Sequence, residues 1–278
     1  MRFIALIFLA LISCALSPSY AVVALDATAY ATATSDNVSS QAITINTTSS
    51  AGTYVLWIYS NGPSGTAAPI VSTVSGSLSP TVWTKRSATT AALTSAFGNG
   101  TANVSIEIWY ANFSAQIVTD IITVTWGSSV DNEYIIGKGF TGTNAIPWDS
   151  GSYPFTSNHA SNSPTSIPSV GTVSTTNANT LVFEVWMNAE NNLISGTNPG
   201  TGYTAFLSAN QISQHNGVYD LEGDMEYQIF STSQSNITVT WAAGEAAKGW
   251  LAVVDALTSD PPASGGAPPS LSLLGAGK

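Results

Sequence analysis

The sequence predicts an all-β protein made of two tandem antiparallel β-sandwich units that follow a signal peptide. Short runs rich in Val, Ile, Thr, Tyr and Trp are separated by Gly, Ser, Asn and Pro, which is typical of β-sandwiches and barrels. No long segment places apolar residues at the i, i+3, i+4, i+7 spacing of an amphipathic helix. One five-residue strand motif occurs twice, and this repetition indicates two units.

The composition of the 278-residue chain excludes several classes of function. Apolar residues make up 44% of the chain, enough for a large core, but charged residues make up only 8%, so Ser, Thr, Asn, Gln and Gly must form most of the surface. Six Lys and Arg against 16 Asp and Glu give a formal net charge of −10. This balance argues against binding to nucleic acid or to anionic membrane surfaces, since both need clustered basic residues.

The first residues have the features of a secretory signal peptide. Met1-Arg2 supplies a positive charge, and Phe3–Ile12 is an apolar run too short to span a bilayer. Ser19-Tyr20-Ala21 places small residues at positions −3 and −1 of a cleavage site. We therefore expect cleavage after Ala21 and a secreted protein, either extracellular or at the cell surface.

A second interpretation of this region is a lipoprotein signal. Leu11-Ile12-Ser13-Cys14 resembles the bacterial lipobox, in which Cys14 would carry a lipid anchor. Cys14 is the only cysteine of the chain, so cleavage after Ala21 would leave a protein without disulfides. No later segment reaches the ~18 apolar residues of a membrane helix, and no transmembrane anchor is expected.

The predicted strands are β-branched and aromatic runs bounded by turn residues. They are Ala42–Asn46, Tyr54–Ser60, Thr81–Lys85, Val104–Tyr110, Ile117–Trp126, Tyr134–Phe140, Leu181–Met187, Tyr203–Leu207, Met225–Phe230, Ile237–Trp241 and Gly249–Leu257. Thr90–Phe97 is predicted as a helical turn. Trp148–Gly171, rich in Ser, Asn and Pro, is predicted as the connection between the units.

An internal repeat supports the division into two units. Ile122-Thr-Val-Thr-Trp126 recurs unchanged as Ile237-Thr-Val-Thr-Trp241, and an apolar strand follows each copy. The looser matches upstream pair Ser105–Tyr110 with Asp224–Ile229, Thr53–Asn61 with Thr180–Asn188, and Val82–Thr84 with Gly202–Thr204. The order is the same in both halves, which indicates two copies of one β unit.

The repeat and the composition predict four parts of the chain. They are a signal peptide at 1–21, a first β-sandwich repeat at 22–147, a second at 148–258, and a flexible Pro/Gly-rich tail at 259–278. Two separate sandwiches or one large sandwich, with half of its strands from each repeat, fit this pattern equally well.

Several residues carry a resemblance to a group of known proteins. They are Glu107, Trp109, Tyr110, Ile122–Trp126, Glu226, Ile237–Trp241 and Leu273–Gly275. Their pattern resembles paired jelly-roll-like β-sandwich proteins of phage virions and of secreted bacterial surfaces. The second copy departs from it, with Gln228 at the position of Trp109. The resemblance implies jelly-roll-like units and a structural or attachment role.

Two strands combine a carboxylate with an aromatic ring. Strand alternation places Glu107 with Trp109, and Glu184 with Trp186, on the face opposite the aliphatic residues. An open face of this kind binds glycans, because the ring stacks on the sugar and the carboxylate accepts hydroxyl hydrogen bonds. The alternative is a purely structural role, in which the Trp covers a neighbouring strand. A third interpretation is a glycoside hydrolase that uses two of Glu107, Glu184 and Glu226.

The acidic run 220–226 is unusual in a chain so poor in charge. Asp220, Glu222, Asp224 and Glu226 would repel one another on one strand face. A bound Ca²⁺ held by a loop that bends at Gly223 would relieve this repulsion, and a solvated acidic turn is the alternative. Asn-x-Ser/Thr sequons lie at Asn37, Asn46, Asn99, Asn103, Asn112 and Asn236, a number that an Asn-, Ser- and Thr-rich chain produces by chance.

Together these features predict an exported, non-catalytic structural or interaction protein of a cell surface, extracellular filament or virion. We expect it to assemble through sandwich edges or faces, with itself or with another surface protein. A free N-terminal segment, Val22–Tyr30, is one predicted means of assembly, because it could pair with the sheet edge of a neighbour. A glycan-binding module and a secreted glycoside hydrolase are the alternatives.

Overall fold

A computed structural model describes residues 22–63, 66–78, 82–94, 101–151, 156–160, 169–189, 199–206, 212–215, 220–241 and 250–259. The architecture of this part is all-β and sandwich-like, with antiparallel sheets, which confirms the predicted class. Within these ranges no helix is long and apolar enough to cross a membrane. The predicted signal peptide, Cys14 and the tail after Ser259 lie outside the described residues.

The described strands follow the chain in this order. They are β1 (Ala24–Ile45), β2 (Gly52–Gly62), β3 (Val71–Gly76), β4 (Thr84–Thr94), β5 (Thr101–Phe113), β6 (Asp120–Thr141), β7 (Thr143–Trp148), β8 (Thr156–Ala160), β9 (Ser169–Val173), β10 (Thr180–Ala189), β11 (Thr204–Ala205), β12 (Ile212–His215), β13 (Asp220–Phe230), β14 (Ile237–Thr240) and β15 (Trp250–Ser259).

The strands form two large sheets and a small one. The first sheet has the order β1-β6-β2-β5-β4, with β3 also paired to β6. The second has the order β11-β13-β10-β15-β7, with β12 on β13 and β8 on β15. β14 and β9 form a separate two-stranded ribbon. The first sheet thus uses only residues before 142, and the second only residues after 142.

The two large sheets pack against each other through one continuous apolar cluster, which we call the inter-sheet core. The first sheet contributes Val55, Trp57, Tyr59, Val104, Ile106, Ile108, Tyr134, Ile136 and Phe140, and the second contributes Trp148, Leu181, Phe183, Val185, Met187, Met225, Leu251, Val253 and Leu257. Trp57 lies at the contact, with its ring centroid 5.3 Å from that of Phe183 and 6.2 Å from that of Phe140. The two halves therefore share one hydrophobic interior.

The first half has an additional apolar layer on its other face, the first outer core. It contains Ile43, Ile45, Tyr54, Leu56, Ile58, Val71, Trp83, Trp109, Ala111, Ile117, Ile122, Val124, Trp126, Val130 and Ile135. β6 joins the two layers. It pairs with β1 on one side in both parts; its other neighbour is β3 up to Trp126 and β2 from Asn132 to Phe140, where it is buried on both faces. The exposed residues 127–129 separate these two parts.

The second half builds its outer layer from separate strands. The ribbon β9–β14 packs onto the second sheet through the second outer core, which contains Val173, Val182, Trp186, Val239, Trp241, Trp250, Ala252, Val254 and Ala256. β15 is buried along its whole length. β15 pairs with β10 as the second part of β6 pairs with β2, and β14 carries the second copy of the Ile-Thr-Val-Thr motif that lies in the first part of β6.

Several local predictions are wrong. Residues 90–94 of the predicted helical turn continue β4, where they pair with β5, because the alternating pattern of a paired strand outweighs the helix propensity of its Ala and Leu residues. The predicted connection after Trp148 contains two strands, β8 and β9. The prediction of a free Val22–Tyr30 is also wrong, since Ala24 and Leu25 pair with β6 and Val23 is fully buried.

Candidate functional site

The predicted alternation of side chains is correct, but the predicted open faces are buried. Val104, Ile106 and Ile108 face the inter-sheet core, and Glu107 and Trp109 face the opposite way. However, Glu107 is 0% and Trp109 is 8% exposed, because β3 and the first part of β6 cover this side.

The second predicted pair is also covered. Glu184 and Trp186 are both 0% exposed, since the ribbon β9–β14 packs over their face of β10. An open glycan-binding face at either pair is therefore wrong.

Glu107 is a buried carboxylate that forms an ion pair with the half-buried Lys85. Lys85 Nζ lies 2.7 Å from Glu107 Oε2 and 4.9 Å from the centroid of the Trp109 ring. The Trp109 indole donates a hydrogen bond of 3.1 Å to the same oxygen, and the backbone N–H of Val71 donates to Oε1. Lys85 also donates to the Val71 carbonyl at 3.1 Å. These contacts satisfy both oxygens of the carboxylate, which ties β3, β4 and β5 together.

Glu184 and Glu226 lie next to each other in the second half. They are direct register partners on the neighbouring strands β10 and β13, and both are fully buried. The backbone N–H of Gly200 donates a 2.6 Å hydrogen bond to Glu226 Oε2. Within the described residues, no donor lies in hydrogen-bond geometry to either oxygen of Glu184 or to Glu226 Oε1.

This environment disfavours ionisation of the pair. Burial, and then the charge on Glu226, raises the pKa of Glu184 well above its ordinary value. Burial raises the pKa of Glu226 to about 7, although the Gly200 N–H opposes the shift. Burial and the two carboxylates also raise the pKa of the nearby Tyr203 phenol. The pair therefore retains a proton at neutral pH.

Glu107 and Glu226 occupy matching places in the two halves. Each lies on the strand next to a central strand, faces an outer core, and accepts a hydrogen bond from a backbone N–H. The neighbour of Glu107 on β2 is Ile58, and that of Glu226 on β10 is Glu184. The sequence alignment of Thr53–Asn61 with Thr180–Asn188 matches Trp57 with Glu184. Trp57 faces the inter-sheet core, whereas Glu184 faces the other side of its sheet, so this part of the repeat alignment is displaced by one residue.

The acidic run lies in a strand and not in a loop. Asp220–Phe230 is one continuous strand, and Gly223 pairs with Met187 without a bend. Asp224 and Glu226 are buried, while the side chains of Asp220 and Glu222 lie outside the described residues. In the part of the chain that the structure describes, no three His, Cys, Asp or Glu side chains converge to hold a metal ion. Calcium binding at this strand stays a prediction.

Two buried aspartates organise matching turns, which sequence reasoning missed. Asp26 accepts hydrogen bonds from the backbone of Thr48 and Ser49. Asp149 accepts backbone hydrogen bonds from Gly151, Thr176 and Asn177 at 2.7 to 2.9 Å. The threonine that precedes each turn, Thr47 in the first half and Thr175 in the second, also makes matching contacts.

The turn threonines bind the opposite loop in the same way in both halves. Thr47 exchanges two hydrogen bonds of 2.9 Å with the backbone of Ile117. Thr175 exchanges bonds of 3.0 and 2.9 Å with that of Gln234. The signal that sequence reasoning could have used is the similarity of Thr47-Thr-Ser and Thr175-Thr-Asn, each just before a central strand.

Replacement of Asp149 by alanine is expected to lower the free energy of unfolding by about 2–3 kcal/mol at pH 7. Burial alone would raise the pKa of Asp149, but the N–H groups of Thr176, Gly151 and Asn177 outweigh it and hold the pKa below its ordinary value. The hydrogen bonds of the Asp149 carboxylate therefore stabilise the fold at pH values above the ordinary aspartate pKa. This stabilisation is lost as the pH falls through the pKa of Asp149 in the folded chain. Urea titrations at pH 7 and pH 3 test this, and an equal deficit at both would contradict it.

The predicted glycosylation sites differ in their contacts. Asn37, Asn46, Asn112 and Asn236 are exposed, Asn103 is half-buried, and Asn99 lies outside the described residues. The amide of Asn112 donates a 2.6 Å hydrogen bond to the Ala145 carbonyl, and that of Asn103 donates to the Thr66 carbonyl. A glycan at either position would replace one of the two N–H groups of that amide and leave one N–H as a donor.

Comparisons with known proteins add no family to these observations. No protein-family model, curated protein or solved structure matches the chain. The class that the structure defines is therefore that of an all-β, sandwich-like protein with two buried glutamate centres, and its function has to be argued from its own residues.

Proposed function

We propose that this chain is an exported, non-catalytic structural protein that assembles through the edge of its first sheet, with a second copy of itself as the partner. Its two halves are copies of one jelly-roll-like β unit, and the matching turns at Asp26 and Asp149 support this duplication. The proposed setting is a cell surface, extracellular filament or virion.

The burial of the chemically active groups supports a structural role. The candidate acids Glu107, Glu184 and Glu226 are all 0% exposed, so that no substrate reaches them in this structure. Glu184 and Glu226 do lie together, but Glu107 lies in the other half with Lys85 as its partner. Glycoside hydrolysis through these residues is therefore not proposed, and neither is glycan binding at the two Trp side chains.

The observation that carries the proposal is that β1 is an edge strand of the first sheet. This 22-residue strand ends the first sheet, and no described strand pairs with its outer side. Between two irregularities, Tyr30–Asp36 pairs with β6 residue by residue, so this stretch offers a regular edge. It contains no Pro, Lys or Arg, the residues with which proteins block edge-to-edge pairing.

Lysines at the edge are expected to abolish assembly. Thr32 and Thr34 are exposed on β1, so Thr32→Lys with Thr34→Lys places two charges on the edge without a change in the core. We expect the parent to form dimers or filaments and the double variant to be a monomer with an unchanged melting temperature. Light scattering and negative-stain electron microscopy measure both properties.

A matched control distinguishes an effect at the edge of β1 from a general effect of the two added charges. Ser50→Lys with Ser231→Lys adds the same two charges at exposed turn positions, and this variant should assemble like the parent. A parent that is monomeric at every concentration, or an edge variant that still assembles, would contradict the proposal.

A further inference from the structure

The second half buries two acids against each other in an apolar environment. Glu184 and Glu226 lie directly opposite on β10 and β13, where opposed Cβ atoms are about 4.5–5.5 Å apart. Their face of the sheet lies under Trp186, Trp241 and the rest of the second outer core. Two negative charges at this separation without water would strongly destabilise the packed state.

The surroundings provide no positive charge within the described residues. On β13 the nearest charged group is Asp224, a third acid, and on the segment before β11 it is the Tyr203 phenol. β15 places Val254 opposite Glu184, and the ribbon β9–β14 consists of uncharged residues. The Gly200 N–H is the one described hydrogen-bond donor to the pair.

We propose that a proton shared between Glu184 and Glu226 stabilises the packing of the second outer core, so that this half of the protein is more stable in acid than in alkali. The shared proton removes one of the two charges, and the remaining charge is held by the Gly200 N–H. Loss of the proton puts two charges between the second sheet and the ribbon.

The direction of the pH dependence follows from the shifts of these groups. Both acids have a higher pKa in the folded chain than the ordinary glutamate value of 4.5, and that of Glu226 is about 7. The stabilisation is therefore complete below pH 4.5, falls as the pH rises through about 7, where Glu226 loses its proton, and is fully lost only at the higher pKa of Glu184. Glu133 and Asp255 add to the same trend, because burial raises their pKa values to about 9 and about 6.

The test therefore needs a variant that isolates the pair. Glu184→Gln replaces the shared proton by a permanent N–H donor of the same shape. We expect its melting temperature to equal that of the parent at pH 5 and to exceed it by about 5 °C at pH 8. Glu107→Gln, at the matching place of the first half, removes the partner of Lys85 and should lower the melting temperature at pH 8.

Infrared spectroscopy measures the proton itself. At pH 6 the parent should show the C=O stretch of a protonated carboxyl, and Glu184→Gln should lose intensity equal to one group. Should Glu184→Gln not fold, Glu226→Gln serves for the same comparison. The proposal would be overturned if the melting temperatures of the parent and of Glu184→Gln changed in parallel from pH 5 to pH 8, or if the two proteins had equal carboxyl intensities.

Discussion

Replacement of Trp57 by alanine is expected to lower the free energy of unfolding by about 3–5 kcal/mol. Trp57 is fully buried in the inter-sheet core. Its ring contacts Phe140 of its own half and also Phe183 and Phe206 of the other half, with centroid distances of 6.2, 5.3 and 5.7 Å. Urea titration followed by circular dichroism measures the change.

The control for this prediction is a smaller aromatic ring. Trp57→Phe keeps most of the contact area and should cost less than about 1.5 kcal/mol. Since the cluster joins both sheets, the alanine variant should still unfold in one transition, displaced to lower urea. A loss below 1 kcal/mol, or a transition that splits so that one half keeps the parent stability, would show that the sheets are not packed as described.

The second large effect is expected at the ion pair between the two halves. Arg86 of β4 donates through Nε to Asp255 Oδ2 at 2.8 Å and through an Nη to Oδ1 at 3.2 Å. Its guanidinium lies 4.9 Å from the centroid of the Trp148 ring. Because Asp255 is fully buried, Arg86→Ala leaves a charge without its partner and should cost about 3–5 kcal/mol at pH 8.

The pH dependence and two further variants test the cause of the stability loss in Arg86→Ala. Burial raises the pKa of Asp255 to about 6 although Arg86 opposes this, so the deficit of Arg86→Ala should shrink as the pH falls and Asp255 takes up a proton. Arg86→Lys should lose part of the stability, since lysine cannot form the two-point bond. The double variant Arg86→Met with Asp255→Leu should recover most of it, and a double variant as unstable as Arg86→Ala would contradict this account.

The sequence predicted the central strands and their alternation because both depend on local pattern, but it missed β3 and most of β1 and divided β6 in two. Ile106 and Glu107 were placed correctly on opposite faces, but the pattern does not say whether a face is covered. A signal for burial was present in Leu181-Val-Phe-Glu-Val-Trp186, where apolar residues on both faces indicate a strand covered on both sides. The prediction of an open face around Glu184 did not take this pattern into account.

Features that depend on pairing between distant strands could not be predicted. The contact of Glu184 with Glu226 requires the register of β10 on β13, and a register error of one residue places a side chain on the opposite face. The bond between Lys85 and Glu107 likewise requires the pairing of β4 with β5. The caps at Asp26 and Asp149 bring together residues more than twenty positions apart, and the similar segments at Thr47 and Thr175 do not show which aspartate caps them.

The shared core between the sheets has a consequence for the history of the chain. Each half uses the other as the cover of its inner face, so neither half on its own would be a soluble unit. On the proposed duplication, an ancestor with a single copy would have had to cover that face with a second molecule, as a homodimer. Fusion of the two copies would then have joined the two partners in one chain, so that folding no longer depended on their concentration.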